Sequence, residues 1–410
     1  MEEAFAQARG DINLRIMVPS VGTPIGIRDI LQGLSGDKDF PDVFRRYTGV
    51  RYCYFTNSGT TAFYLILRAL KTLSSRRKVV LPAYTAPSLI LPVRKAGLKP
   101  ALAEVSLDTF NLDVDRLEDY VDEDTLCVVP VHMFGLPCDM TGVKEIARSK
   151  DAFVVEDAAS SLGSELDGRP TGTLGDLGFY SFNRGKNLTT LTGGCVVTDS
   201  DRLGDAVGGH WRRLPRPPGI SRLLIPAKTV GLALAFRPLG YTLLYPIVAR
   251  FKYTELHTDF DVFAYTKFQA RMGGSLFLRA EEVFRMREEN GAFLYDSLSE
   301  VEGLKLPKIP PNSRVAFNQF PILLGNKTVR DSLHLRIRKE LGLETTLLYP
   351  EPIHRIYDLG YEASPDPFPN STRLARRLLL IPTHPLVRRE MLEGVVELIR
   401  GHLSCYRGGT

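Results

Sequence analysis

The stretch GFYSFNRGKNLTTLTGG, residues 178–194, decides how the rest of the chain is interpreted. An apolar run typical of a β-strand leads to a single lysine, Lys186, and the stretch closes in two glycines. A lysine can form a Schiff base with a carbonyl compound if its surroundings keep part of it deprotonated, and small neighbours leave room for a flat cofactor. The alternative is an ordinary loop lysine, so a catalytic role for Lys186 depends on the rest of the chain.

Length and composition favour an ordinary globular enzyme. The chain has 410 residues, which predicts two domains rather than one. The first thirty residues lack the basic start and the uninterrupted apolar core of a secretory signal, so we expect a cytoplasmic protein. The five cysteines are scattered and odd in number, which favours neither a disulfide framework nor a metal site.

A candidate anion site lies in VRYCYFTNSGTTAFYLILRAL, residues 50–70. A short β-prone run ends in a small polar turn that includes Gly59 and Thr60, and apolar residues then recur at helical spacing. Backbone N–H groups at a helix start bind anions, so this turn suits a phosphate. The alternative is a simple helix cap by Ser58 or Thr60.

The next segments alternate between strand and helix patterns, and their strands are continuous apolar runs. This pattern predicts an α/β fold with a mainly parallel central sheet, helices on both faces, and ligands at the carboxyl ends of the strands. Asp157 follows one such strand, in VVEDAASS. A carboxylate there can hold the protonated ring nitrogen of a pyridine cofactor, or it can cap the next helix.

Seven motifs share one order with a known family: NSGTTA at 57–62, LPAYT at 81–85, VPVHMFGLPCDM at 129–140, VEDAASSLGS at 155–164, GDLGFYSFNRGKNLTTLTGG at 175–194, YPEPIH at 349–354 and FPNSTRLARRLLLIPTHP at 368–385. In this combination the chain resembles the pyridoxal-phosphate-dependent aminotransferases of the DegT/DnrJ/EryC1/StrS group, most of which act on sugars. The resemblance implies the fold-type I architecture of aspartate aminotransferase, with a smaller C-terminal α+β domain.

The resemblance also implies roles for single residues. Lys186 is the lysine that forms the Schiff base with pyridoxal 5'-phosphate, and Asp157 is the partner of the pyridine nitrogen. Gly59, Thr60 and Ser181 surround the cofactor phosphate, which agrees with the anion site expected at the same turn.

Three positions depart from the family pattern. Ser160 replaces a glutamine that usually reaches the ring hydroxyl of the cofactor. Ala86 stands where the family often has a ring-stacking aromatic residue, and Tyr84 is a candidate substitute. Val262 and Ala264 occupy the expected positions of an asparagine and an arginine, in a segment whose asparagine usually reaches the phosphate of the neighbouring subunit.

A basic, apolar insertion at residues 211–253 is longer than the family leads us to expect. Eight basic residues and no acidic residue lie between Arg212 and Lys252. Its apolar runs, 229–236 and 239–249, are too short to span a bilayer but suit an element that lies in the surface of an anionic membrane. We expect prolines to break it into short helices, at 226, 238 and 246. The alternative is packing in a dimer interface or under the small domain, with arginines that are solvated or grip a nucleotide diphosphate.

Together these features predict four regions: a large cofactor-binding domain at 1–210, the insertion at 211–255, a linker helix region at 256–285 and a small domain at 286–410. We expect a homodimeric transaminase that moves an amino group from L-glutamate to a nucleotide-linked or lipid-linked keto-sugar. We expect a cytoplasmic location, with peripheral membrane binding through the insertion. We expect neither a metal nor a nucleic-acid partner.

Two alternative functions remain open. One is a pyridoxal-phosphate-dependent sugar dehydratase, although such relatives typically carry histidine at the position of Lys186. The other is a cofactor-binding regulator or membrane scaffold without turnover.

Overall fold

The computed structural model describes the backbone of residues 16–251 and 258–407, and the side chains of residues 16–245 and 258–405. Predictions about the first fifteen residues, about Lys252 and about the boundary between 255 and 256 lie outside these ranges. Its α-helices are α1 Ile27–Ser35, α2 Phe40–Thr48, α3 Gly59–Leu73, α4 Ile90–Lys95, α5 Met140–Ser149, α6 Asp201–Trp211, α7 Gly219–Ala235, α8 Pro238–Phe251, α9 Lys267–Phe277, α10 Ala280–Leu298, α11 Lys327–Leu341, α12 Ile353–Ile356, α13 Pro369–Arg377 and α14 Arg389–Arg407.

The strands form a seven-stranded sheet and two three-stranded sheets. They are β1 Tyr52–Thr56, β2 Lys78–Pro82, β3 Lys99–Ala103, β4 Thr125–Val128, β5 Phe153–Asp157, β6 Glu165–Leu166, β7 Arg169–Pro170, β8 Leu177–Ser181, β9 Gly194–Thr198, β10 Leu304–Lys305, β11 Ser313–Arg314, β12 Gln319–Leu324 and β13 Leu378–Pro382.

The large sheet has the order β1-β9-β8-β5-β4-β2-β3. Strands β3, β2, β4, β5 and β8 pair in parallel, while β9 is antiparallel to both β8 and β1. All strands except β9 therefore run in one direction, and their carboxyl ends meet at one edge. The mainly parallel sheet predicted from the continuous apolar runs is confirmed.

Helices cover both faces of this sheet. Successive side chains of a strand point to opposite faces, so neighbouring residues of one strand pack against different helices. On β2, Val79 and Leu81 pack in the same core cluster as the apolar side of α3. Val80, between them, packs with Met140 and Val143 of α5 in a separate cluster. Every residue of β4 is buried, as expected for a strand covered on both faces.

A smaller antiparallel sheet, β10-β12-β13, lies in the C-terminal part of the chain. Helices α10, α11 and α13 pack on this sheet, α14 packs on α10 and α11, and β12 is buried along its whole length. This agrees with the α+β architecture predicted for that part. The four-region division of the chain stays a prediction.

The insertion forms two helices, α7 and α8. The expected helix break occurs at Pro238, the first residue of α8, but α7 continues through Pro226 and α8 through residue 246, so the prediction was wrong at those two positions. A proline inside a helix frees one carbonyl, here that of Arg222, which is exposed to water. Within the described residues no single helix is long and apolar enough to cross a membrane; Gly219–Ala235 and Pro238–Tyr245 meet that criterion only as a pair bent by 97°.

Candidate active site

Lys186 lies in the loop between β8 and β9, at the carboxyl edge of the large sheet. Its Nζ donates a hydrogen bond to Ser160 Oγ at 2.8 Å. Burial lowers the pKa of the Lys186 amine, and the nearby Asp157 carboxylate offsets part of that decrease. A lowered pKa increases the fraction of free amine at neutral pH, which a Schiff-base lysine requires.

Asp157 ends β5 beside this lysine. It is 4% exposed, and its Oδ1 accepts a hydrogen bond from the Ala159 N–H at 2.9 Å. Burial raises the pKa of the Asp157 carboxyl, while the Lys186 amine opposes that increase. The sequence separates Asp157 from Lys186 by almost thirty residues, and the parallel pairing of β5 with β8 brings them together.

The turn between β1 and α3 lies directly against the end of β8. Ser58 caps α3, since its Oγ accepts a hydrogen bond from the Thr61 N–H at 3.1 Å. A Cβ at Gly59 would lie 2.9 Å from Ser181 Cβ, so only glycine fits without displacement. The start of α3 therefore lies directly against Ser181, and the helix cap by Ser58 is confirmed, while the anion site stays a prediction.

Tyr84 follows β2 and is completely buried. Its ring packs edge-on against Tyr349, with the centroids 5.9 Å apart, and burial raises the pKa of the Tyr84 hydroxyl. Burial likewise raises the pKa of Tyr349, and the Asp157 carboxylate adds to that increase, so Tyr349 lies near the site. A stacking role for Tyr84 against a cofactor ring stays a prediction. It requires the tyrosine ring, which is buried, to become accessible to the cofactor.

Residues distant in sequence support the lysine loop, and the sequence analysis did not identify them. Asn318 Nδ2 donates to Gly185 O at 3.0 Å and to Asn187 Oδ1 at 2.9 Å. Thr23 Oγ1 donates to Asn187 O at 2.7 Å. Asn318 precedes β12 within AFNQF, where a polar residue in an apolar run was the available signal. Thr23 lies outside every motif that the sequence analysis used.

A buried histidine and glutamate support the backbone at Asp157. His132 Nε2 lies 2.8 Å from Glu156 Oε2, and His132 Nδ1 accepts a hydrogen bond from the Cys138 N–H, so Nε2 carries the proton. Glu156 also accepts three backbone hydrogen bonds, from the N–H groups of Gly172, Leu174 and Gly175. This network leaves the Glu156 carboxylate fully paired and fixes the end of β5.

The segment that departs from the family pattern packs against the β1–α3 turn of the same chain. Asn57 N–H donates to Phe263 O at 3.1 Å, and Thr61 Oγ1 donates to Asp261 O at 2.9 Å. Ala264 pairs with Thr56 in an isolated antiparallel bridge. Val262, at the position where the family has an asparagine that reaches the neighbouring subunit, is therefore close to the candidate phosphate site of its own chain.

Two other features lie apart from this site. A cavity of about 410 Å³ opens at the opposite edge of the large sheet, between the start of β8 and the end of β9, beside Arg169 and Asp199. Within residues 16–251 and 258–407, no group of three or more histidine, cysteine or acidic side chains is arranged to hold a metal.

Known proteins share this fold and sequence pattern. The dTDP-3-amino-3,4,6-trideoxy-alpha-D-glucose transaminase of Micromonospora megalomicea subsp. nigra is 26% identical over 88% of each chain. The dTDP-4-dehydro-2,6-dideoxy-D-glucose 3-dehydratase of Saccharopolyspora spinosa is 28% identical over 88% of this chain and 78% of its own. Among solved structures, S. venezuelae DesV in complex with a ketimine intermediate superimposes with a TM-score of 0.71, covering 91% of this chain and 93% of its own at 24% identity.

A family model matches residues 30–210 and 262–400, which include Gly59, Asp157 and Lys186 but not Thr23. The match stops before α7 and resumes after α8, so the insertion is not part of the family pattern. Because the matched residues form most of the chain, this protein belongs to the DegT/DnrJ/EryC1/StrS aminotransferase family.

Proposed function

We propose that this protein, as an aminotransferase of its family, moves an amino group from L-glutamate to the carbonyl carbon of a keto-sugar, with pyridoxal 5'-phosphate as cofactor. The observation that carries the proposal is the Lys186 amine, which is desolvated, 2.8 Å from Ser160 Oγ and close to the buried Asp157 carboxylate. The donor follows the usual preference of the family. The carrier of the keto-sugar, a nucleotide or a lipid, stays a prediction.

The residues present fit the expected cofactor. A phosphate suits the start of α3, where Ser58 satisfies the Thr61 N–H and the amides of Gly59 and Thr60 precede it. The absence of a side chain at Gly59 lets the start of α3 lie directly against Ser181, which brings the Ser181 hydroxyl to the same place as these amides. A buried carboxylate at Asp157 suits a protonated ring nitrogen, because the ion pair compensates the cost of burying a charge.

Pyridoxal phosphate supplies an electron sink when it is bound. Asp157 holds the proton on the ring nitrogen, which keeps the ring able to accept electrons. Lys186 Nζ, as a free amine, would take the proton from the α-carbon of the donor and deliver it to the cofactor carbon on the other side of the transferred nitrogen. Ser160 Oγ orients that amine. Asn318 and Thr23 hold the backbone that carries it.

We also propose that the protein acts as a homodimer, with each site near the subunit boundary. The support is indirect: Asn183 and Arg184 of the lysine loop are exposed in the single chain, at the edge where a second subunit can exclude water. Sedimentation equilibrium tests the proposal, and a monomer that transaminates at full rate would overturn it.

Substitution of Lys186 tests the function directly. Lys186→Ala should abolish turnover, and borohydride reduction of the protein mixed with pyridoxal phosphate should no longer label the peptide that contains residue 186. Lys186→Arg is the matched control for charge, and it should be equally inactive because a guanidinium forms no Schiff base. Turnover by either variant would refute the mechanism.

The alternatives differ in what glutamate does to the cofactor. A transaminase converts bound pyridoxal phosphate to pyridoxamine phosphate when glutamate is added without a ketone. A regulator or scaffold leaves the visible absorbance of the cofactor unchanged. A dehydratase releases a deoxygenated sugar and transfers no nitrogen, which isotope-labelled glutamate detects. Retention of a lysine at position 186 favours the transaminase.

A further inference from the structure

The insertion and a neighbouring helix concentrate the exposed apolar surface of this protein. Fourteen large apolar side chains are exposed in the described part of the chain, and ten of them lie on just three helices, α1, α7 and α8. We call these ten residues the apolar face: Ile27, Leu31, Leu34, Ile220, Leu223, Leu224, Val230, Leu234, Leu239 and Leu243. Such a concentration marks an interaction site, because scattered exposed leucines are normal whereas clustered ones are not.

Each of the three helices directs an apolar stripe outward. On α7, Thr229 is buried and Leu232 and Ala233 pack on the protein, whereas Leu223 is 75% and Leu234 is 57% exposed. At 3.6 residues per turn, the exposed apolar residues of α7 fall on one side of the helix, opposite Thr229, Leu232 and Ala233. A helix on the surface of a water-soluble protein normally directs its apolar stripe toward the core and its polar residues toward water.

The same arrangement occurs on α1 and α8. Ile27, Leu31 and Leu34 of α1 are 70%, 55% and 57% exposed, at spacings of four and three residues. Leu239 and Leu243 of α8 are 66% and 74% exposed, one helical turn apart. Helix α7 contacts both α1 and α8, so the three stripes belong to one region of the surface.

The charges on the insertion have one sign, although the exposed Asp37 and Asp39 follow α1. The side chains of Arg212, Arg213, Arg216, Arg222, Lys228 and Arg237 are all exposed, and none forms an ion pair with another residue in the described part of the chain. No acidic residue occurs between 206 and 254. On α1, Asp29 is buried and paired with Arg279 at 2.6 Å, so it adds no exposed negative charge.

The underside of the insertion is fixed to the rest of the protein by hydrogen bonds and packing. Tyr241 OH donates to Glu344 Oε2 at 2.5 Å, and Thr242 Oγ1 accepts from the Met17 N–H at 2.8 Å. Phe236 is buried beside Gly22, next to Thr23, which binds the lysine loop. A helix pair held in this way offers one free side, so it can lie in a membrane surface but has no second free side with which to cross it.

We propose that the apolar face binds the surface of an anionic lipid bilayer, with the leucines inserted among the acyl chains and the arginines on the headgroups. The charge complementarity selects this partner, since a second copy of the chain would place the basic insertion, which has no acidic residue, against itself. The proposal goes beyond the proposed function, and it places the Lys186 loop one packed layer from the membrane.

Vesicle flotation tests the proposal with the full chain. The wild type should float with vesicles of equal parts phosphatidylglycerol and phosphatidylcholine, and much less with pure phosphatidylcholine. Leu223→Glu, Leu234→Glu and Leu243→Glu combined should reduce the floating fraction by about tenfold or more, because each acid loses apolar contact and repels the headgroups. Leu278→Glu is the matched control, since Leu278 is 66% exposed but lies outside the face, and it should float like the wild type.

Charge and apolar contact can be separated. Arg222→Gln, Lys228→Gln and Arg237→Gln combined should weaken flotation by roughly fivefold for each removed charge at low salt, and high salt should remove the difference. Lys186→Ala should float like the wild type and the leucine variant should still convert cofactor with glutamate, so failure of the membrane proposal and failure of the proposed function are distinguishable.

Two results would overturn the membrane proposal. One is a wild type that does not float with the anionic vesicles. The other is equal flotation of the wild type and the leucine variant. If the wild type does not bind vesicles, and the leucine variant has a smaller mass than the wild type in sedimentation, the face is an interface between copies of this chain instead.

Discussion

The hydrogen bond from Lys186 to Ser160 predicts that Ser160 affects the basicity of the amine, and replacement of Ser160 by alanine tests this with a definite sign. A hydrogen bond from a charged donor contributes about 1.5–3 kcal/mol, and one between neutral groups about 0.5–1.5 kcal/mol. Ser160→Ala removes the acceptor that lies 2.8 Å from Lys186 Nζ. The protonated amine therefore loses more stabilisation than the neutral amine, which lowers the pKa of Lys186 further.

The assay is the rate at which the cofactor-free protein is methylated at Lys186 by formaldehyde and cyanoborohydride, followed by mass spectrometry across a pH series. A small aldehyde is used because it does not depend on the phosphate site. Burial already lowers the pKa of Lys186 below that of a free lysine. In Ser160→Ala the profile should move further toward low pH, with labelling up to about tenfold faster at pH values below the wild-type pKa and the same plateau above it.

Ser161→Ala is the matched control, because the neighbouring hydroxyl of Ser161 accepts a hydrogen bond from Thr171 Oγ1 and does not contact the lysine. Its labelling profile should coincide with the wild type. A Ser160→Ala profile that also coincides with the wild type, or that moves toward high pH, refutes the assigned role of Ser160.

Three further substitutions test the remaining parts of the site. Asp157→Asn should reduce turnover by about a hundredfold or more, measured by steady-state kinetics, because an amide does not hold a proton on the ring nitrogen, while Lys186 remains labelled by aldehyde. Gly59→Ala should weaken pyridoxal phosphate binding by about tenfold or more, measured by fluorescence titration, since the new methyl group lies 2.9 Å from Ser181 Cβ. Glu156→Gln should reduce the free energy of unfolding in urea by about 1–3 kcal/mol, because the amide nitrogen must face a backbone N–H or a histidine N–H.

Surface positions provide the controls for these variants. Glu123→Gln removes an ion pair whose carboxylate is 81% exposed, and it should change stability by no more than about 0.5 kcal/mol. Gly209→Ala, on α6 with open space around the added Cβ, should be neutral or stabilising. A Gly59→Ala protein with wild-type cofactor affinity would show that the phosphate does not lie against Gly59, and Asp157→Asn with normal turnover would contradict the role of Asp157.

Much of the architecture was accessible from local patterns. The runs that end at Thr56, Pro82 and Asp157 are short, apolar and followed by polar residues, and each proved to be a strand of the large sheet. Parallel strands align their carboxyl ends, so prediction of the strands was enough to expect their terminal polar residues at one edge. The pairing of β5 with β8 then brought Asp157 and Lys186 together as expected.

Contacts across long sequence separations were not accessible in the same way. The hydrogen bond from Lys186 to Ser160 depends on how two loops meet above the sheet, and the motif alone suggested a role for Ser160 toward the cofactor ring instead. Thr23 and Asn318 support the lysine loop from opposite ends of the chain. Neither has a local pattern that specifies its partner, because a single polar side chain is compatible with many partners.

The insertion shows the same division most clearly. The sequence by itself determined that residues 211–253 are basic, apolar and too short in each run to span a bilayer, since these properties depend on composition and length. Tertiary structure alone decided which side of each helix is free: α7 packs Leu232 on the protein and leaves Leu223 and Leu234 exposed. A helix with apolar residues on several sides can pack in more than one orientation, and only its neighbours select one.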